Sequence, residues 1–341
     1  MFVKFKEIAT FKYGTMVSDF KEVGYPVFSG YQFTGYTNDF MYNEEKVVIL
    51  CRGVGGTGKV AIAPKQSWIT NLSIIVEENK EIVNYKYLYY YLSTQFKRLR
   101  KLDTGSCQSQ ITIESLNEFL IYIPSLDIQN KIVSILYSID EQVERNKTIV
   151  KRLQVLALNI FDYFSKENDG SNSVVLGDVL IENKKSSIQV NDVIDLSGDI
   201  PFFTSGDSIL HTKEKLISGF NIFLSTGGNA KVQAYYGDSS YSTDTWCISA
   251  KNNLEYYLYG YFKHIETQMD KLYFSGTGLK HLQKPIFLKS IIDIPVKDKL
   301  HKYNLQVAPI YKQISKIEQS TFKLQQIRNQ LLPLLINQQL I

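Results

Sequence analysis

Ile121-Tyr122-Ile123-Pro124-Ser125-Leu126 leads into a stretch where Ile132, Leu136, Ile139, Val143, Asn146, Val150, Leu153, Ala157, Ile160 and Phe164 follow in steps of 4 and 3. That spacing is a heptad seam on a helix, apolar except at Asn146. The arrangement returns 171 residues later, where Ile292-Asp293-Ile294-Pro295 precedes Tyr303, Val307, Ile310, Ile314, Ile317, Thr321, Leu324, Arg328, Leu331 and Leu335. Thr321 and Arg328 spoil this second seam, and Ile327 is a neighbour able to take over. Two helices of about 35 residues, each about 50 Å long, are expected. Ser125 and Asp127 are placed to cap the first, and Pro333 is expected to end or kink the second near its last turn. A small domain cannot cover so long a stripe, so the two helices are expected to pair, antiparallel, as a spacer.

Working outward, the rest of the chain repeats as well. Tyr25-Pro26-Val27-Phe28-Ser29-Gly30 is echoed by Ile200-Pro201-Phe202-Phe203-Thr204-Ser205-Gly206. Val48 to Gly53 followed by Gly56-Thr57-Gly58-Lys59-Val60 is echoed by Ile222 to Gly227 followed by Gly228-Asn229-Ala230-Lys231-Val232. Strand-like apolar runs (Val47 to Cys51, Leu72 to Val76, Ile222 to Leu224, Trp246 to Ser249) mix with helical patterns such as Tyr85 to Leu102. The expected fold is therefore α+β, with two tandem globular domains and two long coiled-coil spacer helices in a pseudo-two-fold internal repeat. The expected boundaries are 1–126 and 174–298 for the domains, 127–164 and 299–341 for the helices, and a small polar linker over 165–173. The tyrosine-rich stretch Tyr85 to Leu92 reads better as helix core with its hydroxyls at the rim than as a stacking platform for bases.

Composition removes several function classes. The net charge is +4, and Lys302, Lys312, Lys316, Lys323 and Arg328 against Glu318 place that excess after Leu300. Cys51, Cys107 and Cys247 make no CxxC pair, and the four histidines include no HExxH, so no disulfide framework, metal centre or cofactor is expected. With no apolar run of membrane length and no signal peptide, a cytoplasmic protein is expected. Gly53 to Lys59 fits the first seven positions of a phosphate-cradling loop, yet position eight is Val60 where a Mg²⁺-holding hydroxyl belongs. A strand-turn-strand hairpin satisfies both copies of the repeat. A nucleotide-hydrolysing enzyme built on that loop, and a coiled-coil protein adaptor, stand as the other readings. Asp103, Asp238 and Asp244 lie near glycine turns, where Asp caps backbone more often than it catalyses.

Thr104-Gly105-Ser106 with Gln110-Ile111, then Ile121 to Leu126 and Gln129-Asn130-Lys131-Ile132-Val133, form one copy of a signature. Ser275-Gly276-Thr277-Gly278-Leu279 through Ile292 to Pro295 forms the second. In this duplication the chain resembles the specificity subunit of type I restriction-modification systems, over essentially its whole length. The resemblance implies a non-catalytic DNA-binding subunit with two target recognition domains, each reading one part of a bipartite site on double-stranded DNA. It also implies two methyltransferase subunits gripping the paired helices, and restriction subunits added for cleavage. Base edges call for polar loop residues, which makes Gln108, Ser109 and Gln110 in one half, and Lys280 and His281 in the other, the candidate readers. Arg52, Lys59 and Lys231 flank the hairpin turns and are the candidate phosphate contacts.

Overall fold

The computed structural model describes residues 1–53, 56–103, 110–166, 171–193 and 198–337. The chain divides into two compact units, Met1–Glu141 with Gln326–Ile341, and Gln142–Gln325. The two long helices span Leu126–Lys166 and Lys297–Ile336, so each gives residues to both units.

The first unit is built on an antiparallel sheet in the order Ala9–Tyr13, Ser73–Glu78, Lys46–Leu50, Val60–Ala63. Its two central strands are covered on both faces and consequently read as unbroken β-branched runs. Val47, Ile49, Ile74 and Val76 face the main core, whereas Val48 and Ile75 point the other way, toward Ile69 and Ala63. This is the alternation a strand imposes. Tyr25–Ser29, Gln32–Thr37 and Trp68–Ile69 form a second, three-stranded sheet.

The second unit repeats this topology with Leu180–Glu182, Thr245–Ala250, Phe220–Ser225 and Val232–Tyr236. Its three-stranded sheet comprises Leu210–Thr212, Ile200–Phe203 and Ser240–Tyr241, the last pair parallel as in the first unit. Ile222, Leu224, Trp246 and Ile248 enter the main core, while Phe223 and Cys247 enter an aromatic one with Phe203, Tyr235 and Tyr241.

The tyrosine run forms the helix Tyr85–Thr94, started by Asn84, whose side chain accepts from the Lys86 N–H at 2.9 Å. Tyr87, Tyr90 and Tyr91 are buried, and their hydroxyls find Tyr122 O, Asp140 and the Tyr122 N–H respectively. The run is core. The expected Tyr85 to Leu102 pattern breaks at Gln95, and a short helix, Phe96–Arg100, follows.

In each unit the long helices lie antiparallel. Asp140 meets Arg328 at 3.1 Å in the first, and Asn146 Nδ2 donates to Thr321 Oγ1 at 3.0 Å in the second. The polar residues that interrupt the seam therefore meet polar partners. Asp140 also accepts from Tyr90, and Asn146 accepts from Gln142 at 2.8 Å. Val143, Ile314 and Leu335 on the seam are buried, and Ile139, Val150, Leu153, Ile310, Ile317, Leu324 and Leu331 are half-buried.

Pro333 neither ends nor breaks the second helix, which runs on to Ile336 with the Asn337 N–H reaching Pro333 O at 3.0 Å. An interior proline costs about 3 kcal/mol, but Leu335 and Ile336, at 2% and 3% exposure, enter the first unit's core. Burial of two such side chains returns about 1.5–3 kcal/mol each, enough to carry the helix past the proline.

Candidate nucleic-acid interface

In the first unit the hairpin joining Lys46–Leu50 to Val60–Ala63 turns at Gly53 and Gly58, both with left-handed φ of 119° and 89°. The Thr57 hydroxyl holds the turn by donating to Gly53 O at 2.9 Å. A strand rather than a helix follows Lys59, so no helix N-terminus stands behind the loop to receive a phosphate, and the phosphate-cradling loop is ruled out. Cα geometry then pairs Arg52 with Gln110 in an isolated bridge, with the Ile111 N–H on Cys51 O at 3.0 Å. The hairpin turn and the later loop thus share one edge.

The second unit makes the same edge. Gly227 pairs with His281, the Gly228 N–H donates to Lys280 O at 3.0 Å, and the Leu282 N–H donates to Thr226 O at 3.1 Å. Arg52, Lys59 and Gln110 are therefore brought together in one unit, and Lys231, Lys280 and His281 in the other. Gln108, Ser109 and the Thr104-Gly105-Ser106 motif lie outside the described residues.

The two edges differ in charge. Lys59 is exposed, its ammonium 4.8 Å from the centre of the Tyr31 ring at the tip of the adjoining hairpin. Arg52 is half-buried, and its Nε has no hydrogen-bond partner among the described residues. In the second unit Lys231 donates to Asp207 at 2.9 Å and to Gly206 O at 2.5 Å, and Lys280 pairs with Asp270 at 2.7 Å. Lys280 with the Ala230 N–H holds the Asp270 carboxyl below the usual carboxylate range. A phosphate reaching this edge has to compete with carboxylates already in place.

Sequence reading missed Asp207, Asp270 and Tyr31, because ion pairs and ring contacts across loops leave no periodic trace. Asp103 behaves as its place near a glycine turn suggests, accepting from the Gln110 N–H at 2.7 Å and so fixing the backbone of the candidate reader.

Among the described residues no group of three or more His, Cys, Asp or Glu could hold a metal ion, and no helix is long and apolar enough to cross a membrane. Burial pushes the Cys51 thiol up to about 11 and the Cys247 thiol up to about 12, which keeps both protonated and inert at neutral pH.

The class defined by this geometry is a duplicated α+β module on paired long helices, with a polar loop edge on each module. Residues 1–155 and 168–333 each match the type I restriction modification DNA specificity domain. The chain belongs to that family, with two copies in tandem. It is 23% identical, over an alignment of 336 residues covering 85% of this chain and 77% of the relative, to the type I restriction enzyme MjaIX specificity subunit of Methanocaldococcus jannaschii. Its fold matches a crystal structure of the type I restriction-modification system S subunit from M. genitalium at a TM-score of 0.72, with 16% identity, covering 98% of this chain and 95% of that one.

Proposed function

We propose that each unit reads one part of a bipartite target on double-stranded DNA, and that the chain directs methyltransferase and restriction subunits to it while performing no catalysis itself. The recognition domains in this reading are 1–126 and 174–298, the long helices are the spacer that two methyltransferase subunits grip, and the complex works in the cytoplasm. The observation that carries it is the shared edge. In both units a hairpin turn and a distant loop converge so that polar and cationic side chains stand together, as base reading and phosphate contact require. Arg52, Lys59 and Lys231 are assigned to phosphates, and Gln110, Lys280 and His281, with Gln108 and Ser109, to base edges.

Methylome sequencing of the host with and without this chain tests the whole reading; loss of one bipartite modified motif is the expected result. Gln110→Ala tests the reader assignment. Binding to the cognate duplex should fall by about 1–3 kcal/mol more than binding to random duplex. Equal losses on both would remove Gln110 from the reading set. Purified alone, the chain should neither methylate nor cut DNA; either activity would sink the proposal.

A further inference from the structure

Two aromatic rings stand in solvent at the tip of the hairpin that joins Tyr25–Ser29 to Gln32–Thr37 in the first unit. Tyr31 is 43% exposed and Phe33 is 55% exposed. Single exposed apolar side chains are ordinary, but rings gathered on a braced tip mark a contact surface. The turn is only Gly30-Tyr31, and Gly30 takes the left-handed φ of 65° that the first position of so tight a hairpin turn calls for. Its backbone is held to the main sheet. The buried Ser73 hydroxyl donates to Gly30 O at 3.0 Å, and the Thr70 hydroxyl donates to Ser29 Oγ at 2.9 Å. A register shift between Val27 and Phe28 leaves Thr34 without a partner in the ladder and sets Phe33 beside Tyr36, their rings edge to face with centres 5.0 Å apart. The tip is therefore fixed before any partner arrives, which lowers the entropy lost on contact.

The tip is continuous with the candidate DNA edge. One Leu50 side chain lies under both turns, since a Cβ on Gly30 would come within 2.9 Å of one of its methyls and a Cβ on Gly56 within 2.5 Å of the other. That Cβ on Gly56 would also stand 3.7 Å from the Tyr31 ring, whose centre is 4.8 Å from the Lys59 ammonium. A phosphate drawn to Lys59 thus brings the neighbouring base pairs against the tip. We propose that Tyr31 and Phe33 form an aromatic wedge that enters the duplex beside Lys59 and partly unstacks one base step in the half of the target read by the first unit. Apolar side chains inserted at a base step open the stack and kink the duplex, and an aromatic ring replaces part of the stacking it removes. Pyrimidine–purine steps part most easily, so the wedge selects such a step without a hydrogen bond to it. The second unit is built differently. The residue after its equivalent glycine, Gly206, is Asp207, which sets a carboxylate beside Lys231 where the first unit sets a ring beside Lys59. A carboxylate there repels the DNA backbone, so the distortion is confined to one half of the target. The wedge rests on the DNA-reading proposal above.

The full chain is mixed with duplexes of the motif found by methylome sequencing, carrying 2-aminopurine at successive positions. Fluorescence should rise at one pyrimidine–purine step, in one half of the target only. Phe33→Ala and Tyr31→Ala should each abolish the rise and weaken cognate binding about tenfold. For Phe33→Ala the slope of log K against log salt should stay unchanged, because no phosphate contact is lost, and Phe33→Trp should keep the rise. Both side chains are exposed, so unchanged denaturant unfolding of the variants separates lost insertion from lost structure. Bound duplex with no rise at any position, a rise in both halves, or a rise that both alanine variants leave intact overturns the wedge while the DNA-reading proposal stands. So does a Phe33→Ala chain that holds DNA as the wild type does but loses the methyltransferase, since the tip is then a protein contact. A chain that binds no duplex overturns both proposals.

Discussion

The starts of the two long helices occupy equivalent places in the repeat but are held by opposite means. Gln129 is fully buried in the first unit, where its side chain accepts from the Asn84 N–H at 2.9 Å and donates to Ile82 O at 3.0 Å and Pro124 O at 2.9 Å. Leu300 stands 171 residues later, and it packs into the apolar core of the second unit. The helical bonds beneath them are the same, Gln129 N–H to Ser125 O and Leu300 N–H to Val296 O. The smaller cores diverge similarly. Phe203 stacks on Phe223 with ring centres 4.1 Å apart, where the first unit has the half-buried Phe28 beside aliphatic Val48 and Ile75. One topology tolerates a polar or an apolar solution at the same position, provided that each is complete.

Phe203→Ala breaks the comparison most severely. It removes a side chain at 1% exposure and leaves a cavity beside Phe223, and should cost about 3–5 kcal/mol. The equivalent Phe28→Ala should cost visibly less, because Phe28 is only partly buried. Denaturant unfolding of the two variants measures the difference, and equal losses would mean that the two small cores are energetically alike.

Gln129→Leu comes next. It copies the second unit's residue into the first, but strands the Asn84 N–H and two carbonyls, and should cost about 2–3 kcal/mol. Leu300→Gln should be comparably harmful for the reverse reason, an amide buried without partners. If either swap were neutral in thermal unfolding, the two solutions would be interchangeable.

The next contrast is in pH. Glu44 in the first unit is held down to about 2 by Lys46 and Lys80, so it supplies stability above its ordinary value of 4.5 that is lost as pH falls toward 2. Glu318 in the second unit runs the other way. Raised to about 7, it keeps a proton that the unfolded chain has already released, so stability declines as pH climbs from 4.5 to about 7 and is level above that. Allowing for its partial exposure, the decline should be about 1–2 kcal/mol, and Glu318→Gln should flatten it. A wild-type curve without slope across that window would contradict the assignment.

The smallest effect concerns the two edges. Lys59→Ala should lower the slope of log K against log salt for duplex binding by about 1. Lys231→Ala should lower it less, because Lys231 has Asp207 to leave behind before it reaches a phosphate. Equal slopes would show that the Asp207 pair does not compete with DNA.

Some of this was legible in the residues themselves. The heptad steps from Ile132 to Phe164 and from Tyr303 to Leu335 set the two long helices, because a period near 3.5 persists whatever surrounds it. The unbroken β-branched runs set the central strands, and the recurrence of Ile-x-Ile-Pro set the duplication. Local periodicity and repetition are properties of the chain. What surrounds the periodic positions is not. That Pro333 is carried inside a helix depends on a core Leu335 and Ile336 enter from the far end of the chain. That Arg328 and Thr321 suit the seam depends on Asp140 and Asn146 lying opposite them across separations of 188 and 175 residues. That Lys231 and Lys280 are paired while Lys59 rests on a tyrosine ring depends on loops meeting at one edge. Such partners are chosen by chain closure and packing in three dimensions, where energy falls on neighbours in space irrespective of their order along the sequence.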